Sequence, residues 1–182
     1  SFLHPIAGFL GTLSLISYAF VYTPLKRSTP LSVVVGAIPG ALPLIIGCVV
    51  QEGTISPVAL MLFSLQFLWQ FPHFWAVAWL ADEDYKKAGF FLLPSKNGEK
   101  DQTTGLLSFG FCLLMIGNAL IAWKLGYVGI GATGILVALN VYWAWLCWGL
   151  YKECSREVAR KQMFMSFLHL PVSLIVLLID KF

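Results

Sequence analysis

Charge is what this chain has least of: 12% of its 182 residues are Asp, Glu, Lys or Arg, against 58% hydrophobic. An ordinary soluble domain carries about a quarter charged residues, so this scarcity excludes a water-facing globule and makes lipid the solvent. Alternation of apolar and polar residues is also missing, which excludes a transmembrane β-barrel. The four cysteines (Cys48, Cys112, Cys147 and Cys154) lack the paired spacing that frames disulfides or zinc sites. The first three sit in apolar runs, where a thiol behaves as a small hydrophobe. There is no internal repeat, low-complexity tract, glycine-rich nucleotide loop or basic nucleic-acid patch, so no nucleic-acid partner is expected. Ser1 is not an initiator methionine and no cleavable signal precedes the first apolar run; the chain reads as a piece of a longer protein.

What is present is a series of long apolar runs. Six candidate spans fall at roughly residues 3–22, 31–50, 55–81, 105–123, 126–150 and 162–179, each near the ~20 residues that cross the hydrocarbon. The connections are short, so the expected fold is all-α: a polytopic membrane bundle of about six transmembrane helices, with residues 1–182 forming a single membrane domain. The few charges are unevenly placed. Lys26 and Arg27 follow the first span, Lys86, Lys87, Lys96 and Lys100 the third, and Lys152, Arg156, Arg160 and Lys161 the fifth. Only Lys124 and Lys181 lie on the other side. The positive-inside rule puts the three basic connections in the cytoplasm. They also hold seven of the nine acidic residues, so chemistry that needs charge is expected on that face.

Proline and glycine mark where the spans depart from plain anchors. Pro24 disfavours helix at Thr23, so the first span is expected to loosen there. Gly36, Pro39, Gly40, Pro43 and Gly47 interrupt the second span. Small residues four apart let helices approach closely, and each proline frees a carbonyl that must find a partner. Pro72 is expected to kink the third span one residue before His73. Residues 82–104 read as the one long loop, carrying Gly89, Pro94 and Gly98; a loop of that length in a bundle tends to be functional. Trp79, Trp123, Trp148 and Tyr151 read as belt anchors near span ends. Residues 151–161 read as a solvated connection, with Glu157 and Lys161 spaced for a helical turn.

Three groups of residues invite chemistry. Tyr22 and Lys26 are four apart with Arg27 adjacent, and share a face if helix survives Pro24. A phenol and two cations at a rim suit an anionic head group such as a diphosphate; a belt tyrosine with topological charges accounts for them as well. His73 lies inside the third span, roughly 12 Å below its end at about 1.5 Å per residue. It reads as a packing residue, a haem ligand or a proton carrier. Asp84 is eleven residues further on and faces the same way if the helix stays regular. Asp82, Glu83 and Asp84 form an acidic run whose oxygens suit Mg²⁺, which commonly takes one or two carboxylates together with phosphate; a hydrated loop is the alternative. His4 and His169 have no acidic neighbours and read as structural.

Taken together, these residues resemble the haem-farnesylating branch of the UbiA-type membrane prenyltransferases. Tyr22-Thr23-Pro24-Leu25-Lys26-Arg27-Ser28-Thr29 is similar to the signature after that family's fourth helix, and residues 35–47 to its Gly/Pro-rich fifth. Pro72-His73-Phe74-Trp75-Ala76, with Asp84-Tyr85-Lys86-Lys87-Ala88-Gly89 and Leu93-Pro94, resembles the sixth helix and its loop; Met163-Phe164-Met165-Ser166 opens a matching last span. The family has about nine helices, so the chain is similar to its C-terminal two-thirds. The first aspartate-rich loop of that family has no counterpart here, and the chain alone is expected to be inactive. The second Asp-x-x-x-Asp motif, aligned on Lys87-Ala88-Gly89, falls on Ala81 and Tyr85 and leaves Asp84 as the surviving acid. Phe90-Phe91-Leu92 departs from the family's usual residues.

The resemblance implies transfer of a farnesyl group from farnesyl diphosphate to a vinyl group of protohaem IX (haem b, here a substrate), giving haem O for terminal oxidase assembly. It implies Mg²⁺ as cofactor, an inner or cytoplasmic membrane location in the lipid bilayer, and haem A synthase or terminal oxidase assembly factors as protein partners. By the same resemblance Tyr22, Lys26, Arg27, Thr29 and Lys86 bind diphosphate, Asp84 binds magnesium or its water, and Tyr85 orients it. His73 faces haem as ligand or proton acceptor. A quinone-type prenyltransferase, and a polytopic haem-binding or transport protein, are the alternative readings.

Overall fold

The computed structural model describes residues 4–95 and 99–180; Ser1, Lys96, Gly98 and Lys181 lie outside them. Among the described residues all regular structure is helical. In chain order it comprises α1 (Pro5–Ile16), a π-helical segment (Ser17–Tyr22), α2 (Thr23–Leu25), α3 (Ser32–Glu52), α4 (Pro57–Leu80), α5 (Asp82–Lys87), α6 (Gln102–Lys124), α7 (Ile130–Glu153) and α8 (Arg156–Asp180).

Among the described residues five stretches are long and apolar enough to cross a membrane: Pro5–Leu25, Ser32–Glu52, Gln102–Lys124, Ile130–Glu153 and Arg156–Asp180. The third of the six expected spans corresponds to α4, a helix of 24 residues. Its length suffices, but Gln66, Gln70, Pro72 and His73 dilute its hydropathy, and it is not among the five. Two expected loops are also shorter than the charge pattern implied. Residues 151–161 are almost entirely helical, with only Cys154 and Ser155 between α7 and α8, and residues 82–87 of the long loop form α5. Charged residues end an apolar run without ending a helix, because Glu, Lys and Arg are themselves good helix formers. Glu157 and Lys161 form the i,i+4 ion pair at 2.8 Å.

The described residues divide into two compact units. The first holds the chain through Phe67 together with Tyr85–Leu92. Here α1 packs on α3 through Ala7, Leu10, Leu42, Ile45 and Val49. The expectation about freed carbonyls is met at Pro43. Lacking an N–H, Pro43 leaves the Pro39 carbonyl without its intrahelical donor, and the Ser14 hydroxyl donates to that oxygen at 3.3 Å. A polar atom on α1 thus ties down the broken hydrogen-bond ladder of α3. The loosening expected near Thr23 lies one turn earlier, as the wide π turn over Ser17–Tyr22. Both the Thr23 backbone N–H and its hydroxyl reach back five residues to the Tyr18 carbonyl, an arrangement that carries the chain past Pro24.

The second unit holds Leu68–Asp84 and the described residues from Leu93 onward. Here α7 packs on both α6 and α8. Trp69, Cys112, Met115, Trp143, Ala144, Leu146, Cys147 and Met165 form its core. Cys112 and Cys147 face each other as free thiols, their sulfurs 3.7 Å apart. Trp79, read from sequence as a belt anchor, is instead almost fully buried, whereas Trp123 and Trp148 are exposed as expected. At Gly105 the α6 backbone meets that of α7: a Cβ there would lie 2.7 Å from the Tyr151 Cα. Neither backbone can rotate out of the way, so Gly105→Ala is expected to destabilise the protein by about 1–3 kcal/mol, the usual penalty for overpacking. A thermal unfolding scan in detergent micelles tests this; an unchanged midpoint would show that the helices separate freely.

Candidate functional site

In the first unit the rim residues come together for local reasons. Helix survives Pro24, since the Lys26 N–H bonds the Tyr22 carbonyl at 3.1 Å, and Tyr22 and Lys26 therefore share a face. The Lys26 ammonium lies 6.0 Å from the centre of the Tyr22 ring and 4.5 Å from that of Phe90. The Arg27 guanidinium lies 6.0 Å from the Phe90 ring. Cation–π contact fixes where an ammonium sits without neutralising its charge, so the cation stays available to an anion. The Tyr22 ring is seated by Gly36 of α3, where a Cβ would come within 2.7 Å of two ring carbons. The glycine read as a helix-packing residue thus makes the space for a candidate site residue.

Phe90 reaches this rim through the end of α5. The Gly89 N–H bonds the Lys86 carbonyl at 3.0 Å and the Phe90 N–H bonds the Tyr85 carbonyl at 2.8 Å. With Gly89 at φ +73°, this is the Schellman closure that glycine permits. It turns the chain so that the Phe91 N–H bonds the Lys26 carbonyl at 3.1 Å. Tyr85 lies against the same ring, with centroids 6.5 Å apart, and Lys86 follows it on α5. Thr29 serves locally: its hydroxyl oxygen accepts the Leu31 N–H at 3.3 Å in the turn entering α3. Gly89→Ala is expected to cost about 1–2 kcal/mol in the left-handed conformation and to loosen the clamp on Lys26. Gly89→Asn, a residue that tolerates this conformation, is expected to be milder, with unfolding and diphosphate affinity as the two readouts.

In the second unit, His73 of α4 is half-buried in a polar and aromatic setting. Its Nδ1 lies 2.7 Å from the Ser166 hydroxyl of α8. The Trp69 ring, one helical turn back, stacks on it at 4.4 Å and 15°, and Phe167 meets it edge-on at 5.4 Å. The Trp69 indole N–H donates to the Ser166 carbonyl at 3.1 Å, tying the two helices together. Alignment of His73 with Asp84 required a regular helix between them, and that condition fails: α4 ends at Leu80, and α5 starts afresh at Asp82. The other two histidines are structural, as their sequence context implied. His169 is fully buried with Asn140 and Ser173 on its two ring nitrogens, and His4 caps α1 by accepting the Ile6 N–H.

The acidic run divides by burial. Asp82 is buried, while Glu83 and Asp84 are exposed. No group of three His, Cys, Asp or Glu side chains able to hold a metal occurs among the described residues. Magnesium needs fewer protein ligands than that when phosphate oxygens and water complete its shell, so an exposed Asp84 carboxylate suits one such position.

The UbiA prenyltransferase family matches residues 1–168. The chain belongs to that family. This UbiA-family chain is also similar to curated proteins named protoheme IX farnesyltransferase. The one from Cytophaga hutchinsonii is 43% identical over 173 residues, covering 94% of this chain and 60% of that protein. The one from Christiangramia forsetii is 39% identical, covering 99% and 61%, and that from Flavobacterium psychrophilum 36%, covering 99% and 61%. The chain thus spans about 60% of the length of these relatives. No solved structure matches it. Family membership and five apolar spanning helices make it an integral membrane protein.

Sequence reasoning missed several residues at these sites. Phe90 stood out only as a departure from the family pattern, yet its ring covers Lys26. Ser166 and Trp69 were missed, although a signal existed. Gln162, Ser166, His169 and Ser173 recur at helical spacing through the part of α8 that follows its charged first turns, and all four are fully buried; such a polar stripe marks a face turned to other helices rather than to lipid.

Proposed function

We propose that this chain forms part of an enzyme that transfers a farnesyl group from farnesyl diphosphate to a vinyl group of protohaem IX, giving haem O for terminal oxidases. The observation that carries the reading is the rim of the first unit. Lys26, Arg27 and Tyr85 gather around Phe90, with Tyr22 on Lys26, in a chain similar throughout to proteins named for this reaction.

Breaking the allylic C–O bond builds negative charge on the departing diphosphate. Lys26 and Arg27 stabilise that charge as it develops, from positions set before the reaction by ring contact and helix geometry. The Tyr22 phenol donates to diphosphate oxygens, with Lys86 adding charge and Thr29 a hydroxyl, while Tyr85 orients the magnesium ion or water at Asp84. Asp84 holds Mg²⁺ or its water, and the ion when bound supplies further neutralisation. His73 faces protohaem, as an iron ligand or as the acceptor of a proton. The charged connections, and the rim with them, lie on the cytoplasmic side of an inner or cytoplasmic membrane, following the bias of Lys and Arg. Haem A synthase or oxidase assembly factors are the natural recipients of the product.

This chain spans about 60% of the length of the relatives named for this reaction, and by itself it is expected to transfer no farnesyl group. The test is mass analysis of the acceptor after incubating the whole membrane protein with farnesyl diphosphate, protohaem, a quinone precursor and Mg²⁺. A farnesyl-plus-water mass gain on protohaem supports the proposal. A gain on the quinone precursor replaces it with a quinone-type enzyme, and turnover by the isolated chain overturns the expectation of inactivity.

A further inference from the structure

The hydrogen bonds around His73 constrain which ring nitrogen carries the proton. A serine hydroxyl has one hydrogen to donate and two lone pairs to accept with. The Ser166 oxygen lies 2.5 Å from the Met163 carbonyl oxygen, three residues earlier on α8. Two oxygens that close repel unless a hydrogen lies between them, so the Ser166 proton is committed to Met163. Toward His73 the same oxygen can therefore only accept, and the Nδ1 atom 2.7 Å away must bring the hydrogen. A neutral imidazole with a proton on Nδ1 has a bare lone pair on Nε2.

We infer that Ser166 is a positioning residue that holds His73 as its Nδ1–H tautomer and presents the Nε2 lone pair to the haem substrate. Only the last clause rests on the proposed function; the tautomer stands on the hydrogen-bond geometry alone. The surroundings make the arrangement rigid. Ser166 is fully buried, so water does not compete for its hydroxyl. Stacking on Trp69 fixes the plane of the imidazole, and the Trp69 indole holds the Ser166 carbonyl, so ring and hydroxyl are registered by one side chain. Partners of this kind orient metal-binding histidines and raise the basicity of the free nitrogen. The same lone pair serves whether His73 ligates iron or accepts a proton, because both uses need an unprotonated Nε2.

The test is nitrogen NMR of ¹⁵N-histidine-labelled full-length protein in lipid bilayers, with the His73 signals identified by their loss in His73→Gln. The expected spectrum has a protonated Nδ1 and a bare Nε2; a proton on Nε2 in the unaltered protein overturns the inference with no variant needed. Ser166→Ala is expected to release the tautomer to a mixture and to weaken protohaem binding by about 10–100-fold, with Ser166→Thr restoring both. An unchanged tautomer in Ser166→Ala overturns the role of the serine. Protohaem binding and haem O formation that both survive His73→Gln undiminished overturn the haem clause and leave the tautomer in place.

Discussion

Replacing Lys26 by glutamine in the whole protein is expected to lower prenyl transfer by about 10²–10³-fold, the range seen when one preorganised stabiliser of developing charge is removed. The clamp explains the size of the effect. Lys26 is held by the faces of Tyr22 and Phe90, so its charge is already in place when diphosphate leaves and no side-chain rearrangement is needed. The loss should fall on kcat more than on KM, because the lysine acts on charge that exists mainly in the transition state. Lys26→Arg keeps the charge but not its compact shape, and is expected to retain part of the rate. Steady-state kinetics with farnesyl diphosphate varied at saturating protohaem measure both. A Lys26→Gln enzyme within about threefold of the parent would return the rim to the reading it started with, topological charge at a membrane surface.

His73→Ala is the second large effect, and its meaning depends on a comparison with His169→Ala. Both histidines sit on helices in the second unit with polar partners on the ring. They differ in exposure: His73 is half-buried, while His169 is sealed between Asn140, Ser173 and the Trp143 ring. Removing His169 leaves the Asn140 side-chain amide oxygen without the ring it bonds, a stability loss of about 1–3 kcal/mol, and should leave the chemistry of the surviving folded protein intact. Removing His73 should cost little stability but lower haem O formation by about 10²–10⁴-fold if it moves a proton. Activity per folded molecule, corrected by an unfolding measurement on each variant, separates the two. The functional assignment of His73 fails if both variants lose activity only in proportion to their folded fraction.

These two cases show where sequence and tertiary structure divide the work. The apolar runs, the placement of Lys and Arg and the Pro/Gly punctuation were all readable, because each reflects a demand made residue by residue: apolar side chains for lipid, charge kept out of it, carbonyls freed by proline. Pro43 illustrates this well, since its consequence was legible and only the partner, Ser14, was not. Helix ends were less legible. The charged stretches 82–87 and 156–161 were read as loops or connections, yet they are helical because hydrophobicity marks where lipid ends and not where hydrogen bonding ends.

From the sequence alone follow the all-helical membrane character, the resemblance to UbiA prenyltransferases and the identity of Tyr22, Lys26, Arg27, His73, Asp84 and Tyr85 as residues to watch. Spacing also paired Tyr22 with Lys26 on the condition that helix survives Pro24, because four residues return to the same helical face; the hydrogen bond from the Lys26 N–H to the Tyr22 carbonyl meets that condition. Only the tertiary structure decided that Phe90 closes over Lys26, that Gly36 makes room for Tyr22, and that Ser166 stands opposite His73. It also broke the expected alignment of His73 with Asp84 at Ala81. The physical reason is one of range. Composition and helical period act over a few residues, whereas contacts such as His73 with Ser166 join positions 93 residues apart, and packing of whole helices chooses among the partners that local pattern leaves open.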